Sequence, residues 1–408
     1  MVRVPTSVSH EQLSGLLMTA AITLALVAAN SPLAPLYTLV HDAAVHVRVG
    51  PLVLEGPLVH WINEGLMVIF FLIVGLEIKQ QFLEGHLSSR KRAALPGFAA
   101  LGGMIVPALI YVGLNRGDPA ALEGWAIPTA TDIVLVLGLL SLLGTRVPTG
   151  LKIFLTALAI FDDIGAVLII AVFYGETPSV LPLLLAIVAA AGLVAVNWLD
   201  IVHRGAYVAL GLVLWLAMLK AGVEAALAGV IIALAVPLHV PGCRRPSPLR
   251  ATERRLHPWS TLFVVPVFAF FNAGIPIDTA AFEGLFEPVP IGIIAGLFLG
   301  KQIGIFGACW AAVRLGLGQL PSGVGWAQVY GAGLIAGIGF TMSLFVATLA
   351  FDDSTMVASA KLAVLLASVL SASVGLAVVA RATAGDIPES NNTDAAARTA
   401  STQRGAEL

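Results

Sequence analysis

The chain has 408 residues, of which 58% are hydrophobic and 11% charged, with a formal net charge of −2. A water-soluble domain carries about 25% charged residues, so this composition excludes an ordinary soluble protein and belongs to a chain built for lipid. Two cysteines, Cys243 and Cys309, exclude a disulfide framework and offer no metal-ligand spacing.

A membrane-spanning helix needs about 20 mostly apolar residues. The first such run lies at 13–30. Its flank "MVRVPTSVSHEQ" holds one arginine and no small-residue cleavage motif, so it reads as an uncleaved first span. Next, "VHVRVGPLVLEG" (45–56) alternates apolar and polar residues around a Gly-Pro turn. That pattern predicts a short β-hairpin, or else a plain surface loop. An exposed hairpin leaves strand edges open, and a contact between two copies of the chain would cover them. Further apolar runs fall near 58–78, 94–114, 126–144, 151–174, 180–199, 206–219, 222–240, 259–276, 289–313, 327–350 and 357–381, making twelve. The run at 206–219 is short, and 259–276 is interrupted by proline. The tail 382–408 is small and polar, which predicts disorder. The fold class expected is an all-α integral membrane protein with about twelve transmembrane helices and a short hairpin, the transporter domain covering 1–381.

Charge sets the expected orientation. With the N-terminus inside, the inner loops carry Arg90, Lys91, Arg92, Arg146, Arg204 and Arg314, and the basic loop "CRRPSPLRATERRLH" (243–257) adds five more arginines. The outer loops hold Arg48, Arg116 and Lys220, while 277–288 has Asp278, Glu283 and Glu287 with no lysine or arginine. This positive-inside bias puts the N-terminus in the cytoplasm, and an even number of spans returns the C-terminus there. The basic loop reads as an ordinary cytoplasmic loop, with no nucleic acid as partner.

A weak internal symmetry follows. The triplets of spans at 94–174 and 289–381 each have an unusual middle member. In the first, "AIPTATDIVLVLG" places Pro128 just before Thr129, Thr131 and Asp132. In the second, "GAGLIAGIGFTMSLF" places four glycines before Thr341 and Ser343. These are spans four and eleven, and the odd offset makes the two triplets opposite in orientation. Interrupted spans at corresponding positions of two inverted repeats point to a transporter's binding site.

The acids supply the chemistry. "ALAIFDDIGAVLII" sets Asp162 and Asp163 side by side in an apolar run. A charge at the centre of a membrane helix costs about 2.5–3.5 kcal/mol on insertion scales, a penalty that packing does not explain. Adjacent helical residues point about 100° apart, so one acid can meet a fixed partner while the other lines a cavity. Lys301, in "IAGLFLGKQIGIFGACW", is read as the one mid-span cation and the natural counter-charge for an aspartate. Broken helix ends leave partial charges inside the membrane: Asp132 can offset exposed N–H ends, Lys301 exposed carbonyls, and Thr131 offers a hydroxyl. A buried carboxylate is a site for a proton or a small hard cation such as Na⁺. Mutual exclusion at that site is all that exchange requires.

The stretches "AIFDDIGA", "GWAIPTATDI", "GKQIGI", "GIGFTMSLF", "WINEGLMVIFFLIVGLEIK" and "LHPW" together resemble the NhaA-type sodium/proton antiporters of bacterial inner membranes, from about residue 11 to about 381. Inverted repeats with interrupted helices are a property of that family, so the resemblance and the repeat pattern are one observation rather than two. The resemblance implies that Asp163 is the principal Na⁺ and H⁺ carboxylate. It implies that Asp162 shares ion handling and pairs with Lys301 when no cation is bound, and that Asp132 and Thr131 sit where the broken helices cross. The cargo would be Na⁺ or Li⁺ leaving against protons entering, more protons than cations per cycle. No enzymatic reaction and no cofactor are implied. A pH sensor would lie at the cytoplasmic mouth, at Glu77, Glu253 and His257, and the 45–56 hairpin would join two protomers into a homodimer. Departures from the family's best-known member fall mostly on that sensor: Gln80 replaces an arginine, Gln81 an acid, Glu224 a histidine and Glu64 an aspartate.

Three other readings fit the sequence less well. An intramembrane aspartyl protease needs its acids on separate, facing helices, and Asp162 and Asp163 are neighbours on one. A passive cation channel would not need an acid–lysine pair. A sodium-coupled symporter would need a cluster for recognising its solute, and none is evident.

Overall fold

Inside a bilayer each backbone N–H and C=O must find its partner within the chain, so long apolar runs become long helices. The computed structural model describes residues 10–49, 52–175, 178–201, 203–239, 247–277 and 279–384. In chain order, α1 (His10–Ala29) and a short α2 (Ala34–His41) lead into strands β1 (Ala44–Val49) and β2 (Leu52–Pro57). These pair antiparallel, from Ala44 opposite Pro57 to Val49 opposite Leu52, which is the hairpin anticipated at 45–56. Next come α3 (Leu58–Leu83), α4 (Arg90–Leu114), a one-turn α5 (Pro119–Leu122) running into a 3₁₀ stretch over Glu123–Thr129, α6 (Ile133–Leu142) and α7 (Thr149–Phe173). Helices α8 (Val180–Trp198), α9 (Arg204–Ala221), α10 (Leu227–Ala235), α11 (Pro248–Trp259), α12 (Val265–Ala273) and α13 (Thr279–Gly284) follow. The chain ends in α14 (Pro288–Ala295), α15 (Lys301–Arg314), α16 (Trp326–Ile335), α17 (Phe340–Ala350) and α18 (Ser354–Ala384).

Among the described residues nine helical stretches are long and apolar enough to cross a membrane alone, and two bent pairs raise the number to eleven. The twelfth candidate, 222–240, is helical only over the nine residues of α10, a rise of about 14 Å against a hydrocarbon core of about 30 Å. Its ends have local causes. Gly222 closes α9 in the left-handed region at φ 77°, and Val236 is extended just before Pro237, as a residue preceding proline prefers. The proline-marked run at 259–276 is longer than its apolar residues suggest, because helix is continuous from Pro248 to Ala273. A π-turn over Ser260–Val264 joins α11 to α12 between Pro258 and Pro266. Widening one turn there accommodates proline rings that would otherwise collide with the preceding carbonyls.

The tail expected at 382–408 begins as the last turn of α18, which continues to Ala384; the rest, like Cys243, lies outside the described residues. The acids sit where α4, α7, α15 and the two bent pairs converge. Gly102 of α4 and Gly304 of α15 lie against each other, each backbone occupying the space that a Cβ on the other would need. Only glycine permits that crossing, and it brings α15, with Lys301 in its first turn, close to α4.

Candidate functional site

The two interrupted spans form the frame. The stretch Pro119–Thr129 meets α6 at 42°, and α16 meets α17 at 44°. Their non-helical links cross and bond to each other. The N–H of Asp132 donates to the Ile338 carbonyl at 2.7 Å, and the Thr131 hydroxyl lies 2.9 Å from the Ala336 carbonyl. From α17, the Ser343 hydroxyl donates to the Ile127 carbonyl at 2.7 Å.

Asp132 caps both halves of the crossing. One carboxylate oxygen accepts from the Leu135 N–H (3.1 Å) at the start of α6. The other accepts from the N–H (3.0 Å) and the hydroxyl (2.6 Å) of Thr341 in the first turn of α17. Helix N-termini present unpaired N–H groups and partial positive charge, and one buried carboxylate here serves two of them. Lys301 serves the opposite end. Its ammonium donates to the Thr129 carbonyl (2.5 Å), where the 3₁₀ stretch stops, to the Thr131 hydroxyl (2.9 Å) and to Asp162 Oδ2 (2.7 Å). The side chains of Lys301 and Asp162 have no solvent exposure. The Thr131 hydroxyl also lies 2.6 Å from Asp162 Oδ2, so it bridges acid, lysine and the second broken span.

Both acids come from α7, and the turn of that helix separates them. Asp162 faces Lys301, with its second oxygen buried and without a hydrogen bond among the described residues. Asp163 is 6% exposed and makes no hydrogen bond or ion pair among the described residues. A π-turn over Gly296–Gly300 immediately precedes Lys301. Gly296 packs on Pro128 and Gly300 on Pro107, with no room at either for a Cβ. These contacts fix the rotation of α15 at the point where it delivers the ammonium.

The three residues expected at the cytoplasmic mouth come from other helices, α3 (Glu77) and α11 (Glu253, His257). Glu77 is within Coulombic reach of both Asp163 and Glu253, which links the two groups electrostatically. The His257 ring stands 5.7 Å from that of His10 on α1.

Sequence reasoning missed three features. Thr341 was seen only as a polar residue of its span, yet it supplies two of the bonds to Asp132; its place in the second break, matching Thr131 and Asp132 in the first, was the available signal. The π-turns leave no pattern in apolar spacing. Lys301 is also not the only lysine inside a span: Lys361, within α18, donates to Asn272 Oδ1 at 3.2 Å, and Asn272 in turn bonds Asn63 of α3. Lysine in a run as apolar as 357–381 was absorbed into the hydrophobic average.

Comparison with known proteins shows the family of the chain. The Na⁺/H⁺ antiporter 1 family matches residues 6–379, which include every residue of the site described above. A Na(+)/H(+) antiporter NhaA of Pseudomonas fluorescens is 51% identical over 374 residues, covering 91% of this chain and 94% of that protein. A Na(+)/H(+) antiporter NhaA 1 of Syntrophotalea carbinolica is 51% identical over 373 residues, with 91% and 94% covered. A Na(+)/H(+) antiporter NhaA of Shewanella sp. (strain MR-4) is 50% identical over 369 residues, with 90% and 94% covered. With a family match over nearly the whole chain and relatives at half identity, this multi-pass membrane protein belongs to the Na⁺/H⁺ antiporter 1 family.

Proposed function

We propose that the chain exports Na⁺ or Li⁺ in exchange for protons moving inward, the two cargoes competing for the carboxylate of Asp163. The supporting observation is its placement: a nearly buried acid with no hydrogen bond or ion pair among the described residues, next to an acid already paired with a lysine. A buried carboxylate without a partner demands a positive species. A proton or a hard cation satisfies it, and each displaces the other. Na⁺ bound at Asp163 takes further oxygens from Asp162, which then loosens from Lys301; when the ion leaves, Lys301 closes on Asp162 again.

In the same reading Asp132 and Thr131 hold the crossing of the interrupted helices while access alternates between the two sides. The units that carry them are the inverted repeats at 94–174 and 289–381, within a transporter domain over 1–381. More protons than cations move per cycle, so the proton gradient drives export. Glu77, Glu253 and His257 adjust activity to cytoplasmic pH. The protein sits in the bacterial inner membrane with both termini cytoplasmic, as a homodimer joined through the 45–56 hairpin. No cofactor and no enzymatic step are needed. The symporter and channel readings draw no support from relatives named as antiporters.

The test is exchange in proteoliposomes that hold an acidic interior and a pH-sensitive dye. Added Na⁺ or Li⁺ should dissipate the gradient, and Asp163→Asn should abolish the response. Unimpaired exchange by Asp163→Asn would remove that residue from the role given to it.

A further inference from the structure

On the face that carries the β-hairpin, a cavity of about 810 Å³ opens between α3, α7 and the α9–α10 turn. It is far larger than a path for Na⁺ requires and falls within the range of pockets for small organic molecules, roughly 300–1,000 Å³. Its lining is of two kinds. Trp61, Trp125 and Trp215 supply aromatic wall, with Phe173 and Tyr174 beside them. Five acids, Glu55, Glu64, Glu123, Glu224 and Asp352, share the cavity with a single lysine, Lys220, and a single histidine, His60.

Two of these acids lie deep. Glu224 is 8% exposed; one oxygen accepts from the Ala226 N–H at 3.2 Å, and the other has no hydrogen bond among the described residues. Glu64, in the second turn of α3, keeps one oxygen buried with no hydrogen bond among the described residues, and the indole nitrogen of Trp61 is likewise buried with none among them. Neither Glu64 nor Glu224 makes an ion pair among the described residues. The aromatic wall is held in place: Trp215 donates to the Glu64 carbonyl at 3.3 Å, Trp125 meets Phe173 edge to face at 5.2 Å, and Tyr174 donates to the Glu123 carbonyl at 2.6 Å. Buried carboxylates with no ion-pair partner among the described residues, in one cavity with preset indole rings, combine the two features that bind flat organic cations: bidentate charge-assisted hydrogen bonds and cation–π contact.

We propose that this cavity binds a planar organic monocation of the amidinium or guanidinium class, its charge on Glu64 and Glu224 and its flat face against the tryptophans. Na⁺ is satisfied by oxygen ligands and does not require aromatic walls, and an uncharged aromatic leaves both carboxylates unanswered. The site is separate from the Asp162–Asp163–Lys301 cluster and does not depend on the exchange reading.

The probe is benzamidinium, titrated calorimetrically into purified full-length protein without a gradient, with uncharged benzamide as its isostere. Benzamidinium should bind and benzamide should not. The double variant Glu64→Gln/Glu224→Gln should weaken binding by about tenfold or more, and Trp125→Leu should weaken it while leaving both acids in place. Asp163→Asn should bind the probe as the parent does. Equal binding of the two probes to the parent chain would overturn the proposal, whatever the fate of the variants. So would no binding of benzamidinium, binding indifferent to the double variant, or binding lost in Asp163→Asn.

Discussion

Lys301 holds three partners at once, and the cost of removing it falls on whichever is left unsatisfied. With Lys301→Met, Asp162 keeps, among the described residues, only the Thr131 hydroxyl as donor, in a place with no solvent exposure. Removing one member of a buried ion pair costs about 3–5 kcal/mol, because the remaining charge is uncompensated. Thermal unfolding in detergent should therefore show a clear fall in midpoint for Lys301→Met. The double variant Asp162→Asn/Lys301→Met should recover part of that loss, since neither charge is then stranded. Asp132 behaves differently because its bonds are spread over two helices. Thr341→Val deletes one side-chain donor but keeps the backbone N–H and the Leu135 cap. The expected loss is about 1–2 kcal/mol, again read from the unfolding midpoint. A loss as large as that of Lys301→Met would mean that the crossing depends on one hydroxyl rather than on the shared carboxylate.

At the scale of elements, the approach of α4 to α15 rests on backbone against backbone at Gly102 and Gly304. A Val at Gly304 has no space and must part the helices, a strain of about 1–3 kcal/mol in a packed core. The separation also moves Lys301, one turn earlier, away from Asp162. Gly304→Val should therefore lose exchange more completely than stability, measured on the same preparation by dye quenching and by thermal unfolding. Gly307, with open space around the position of a Cβ, provides the control: Gly307→Ala should leave both readings near those of the parent. Most of these elements were legible in the sequence. Long apolar runs located the helices, alternation around Gly-Pro located the hairpin, and Pro128 and the Gly331–Gly339 stretch marked the two breaks. Adjacent acids in an apolar run marked the candidate site, and the helical repeat required them to point in different directions. What was not legible has physical reasons. A π-turn adds one residue to a turn and leaves the average hydropathy untouched. A short helix such as α10, preceded by turns and followed by an extended residue, has the same composition as a full span. The partners of Asp132 depend on a crossing between segments about 200 residues apart, which no local pattern encodes.

For the whole molecule, the hairpin and the buried acids set separate expectations. If the 45–56 hairpin joins two protomers, its deletion should halve the mass measured by light scattering in mild detergent, with exchange retained by the monomer. A deletion variant that stays dimeric would assign the interface elsewhere. The exchange reading itself depends on one carboxylate taking either cargo, and competition has a fixed signature. While a proton occupies the site, each unit of falling pH should raise the apparent KM for Na⁺ about tenfold, with the maximal rate at saturating Na⁺ unchanged by that protonation. The steep limb should flatten as the pH rises past the titration of the site. The most direct measurement is therefore KM for Na⁺ against pH in proteoliposomes, with the two sides at equal pH. A slope near one decade per pH unit is the result predicted; a KM for Na⁺ that does not change with pH would contradict it.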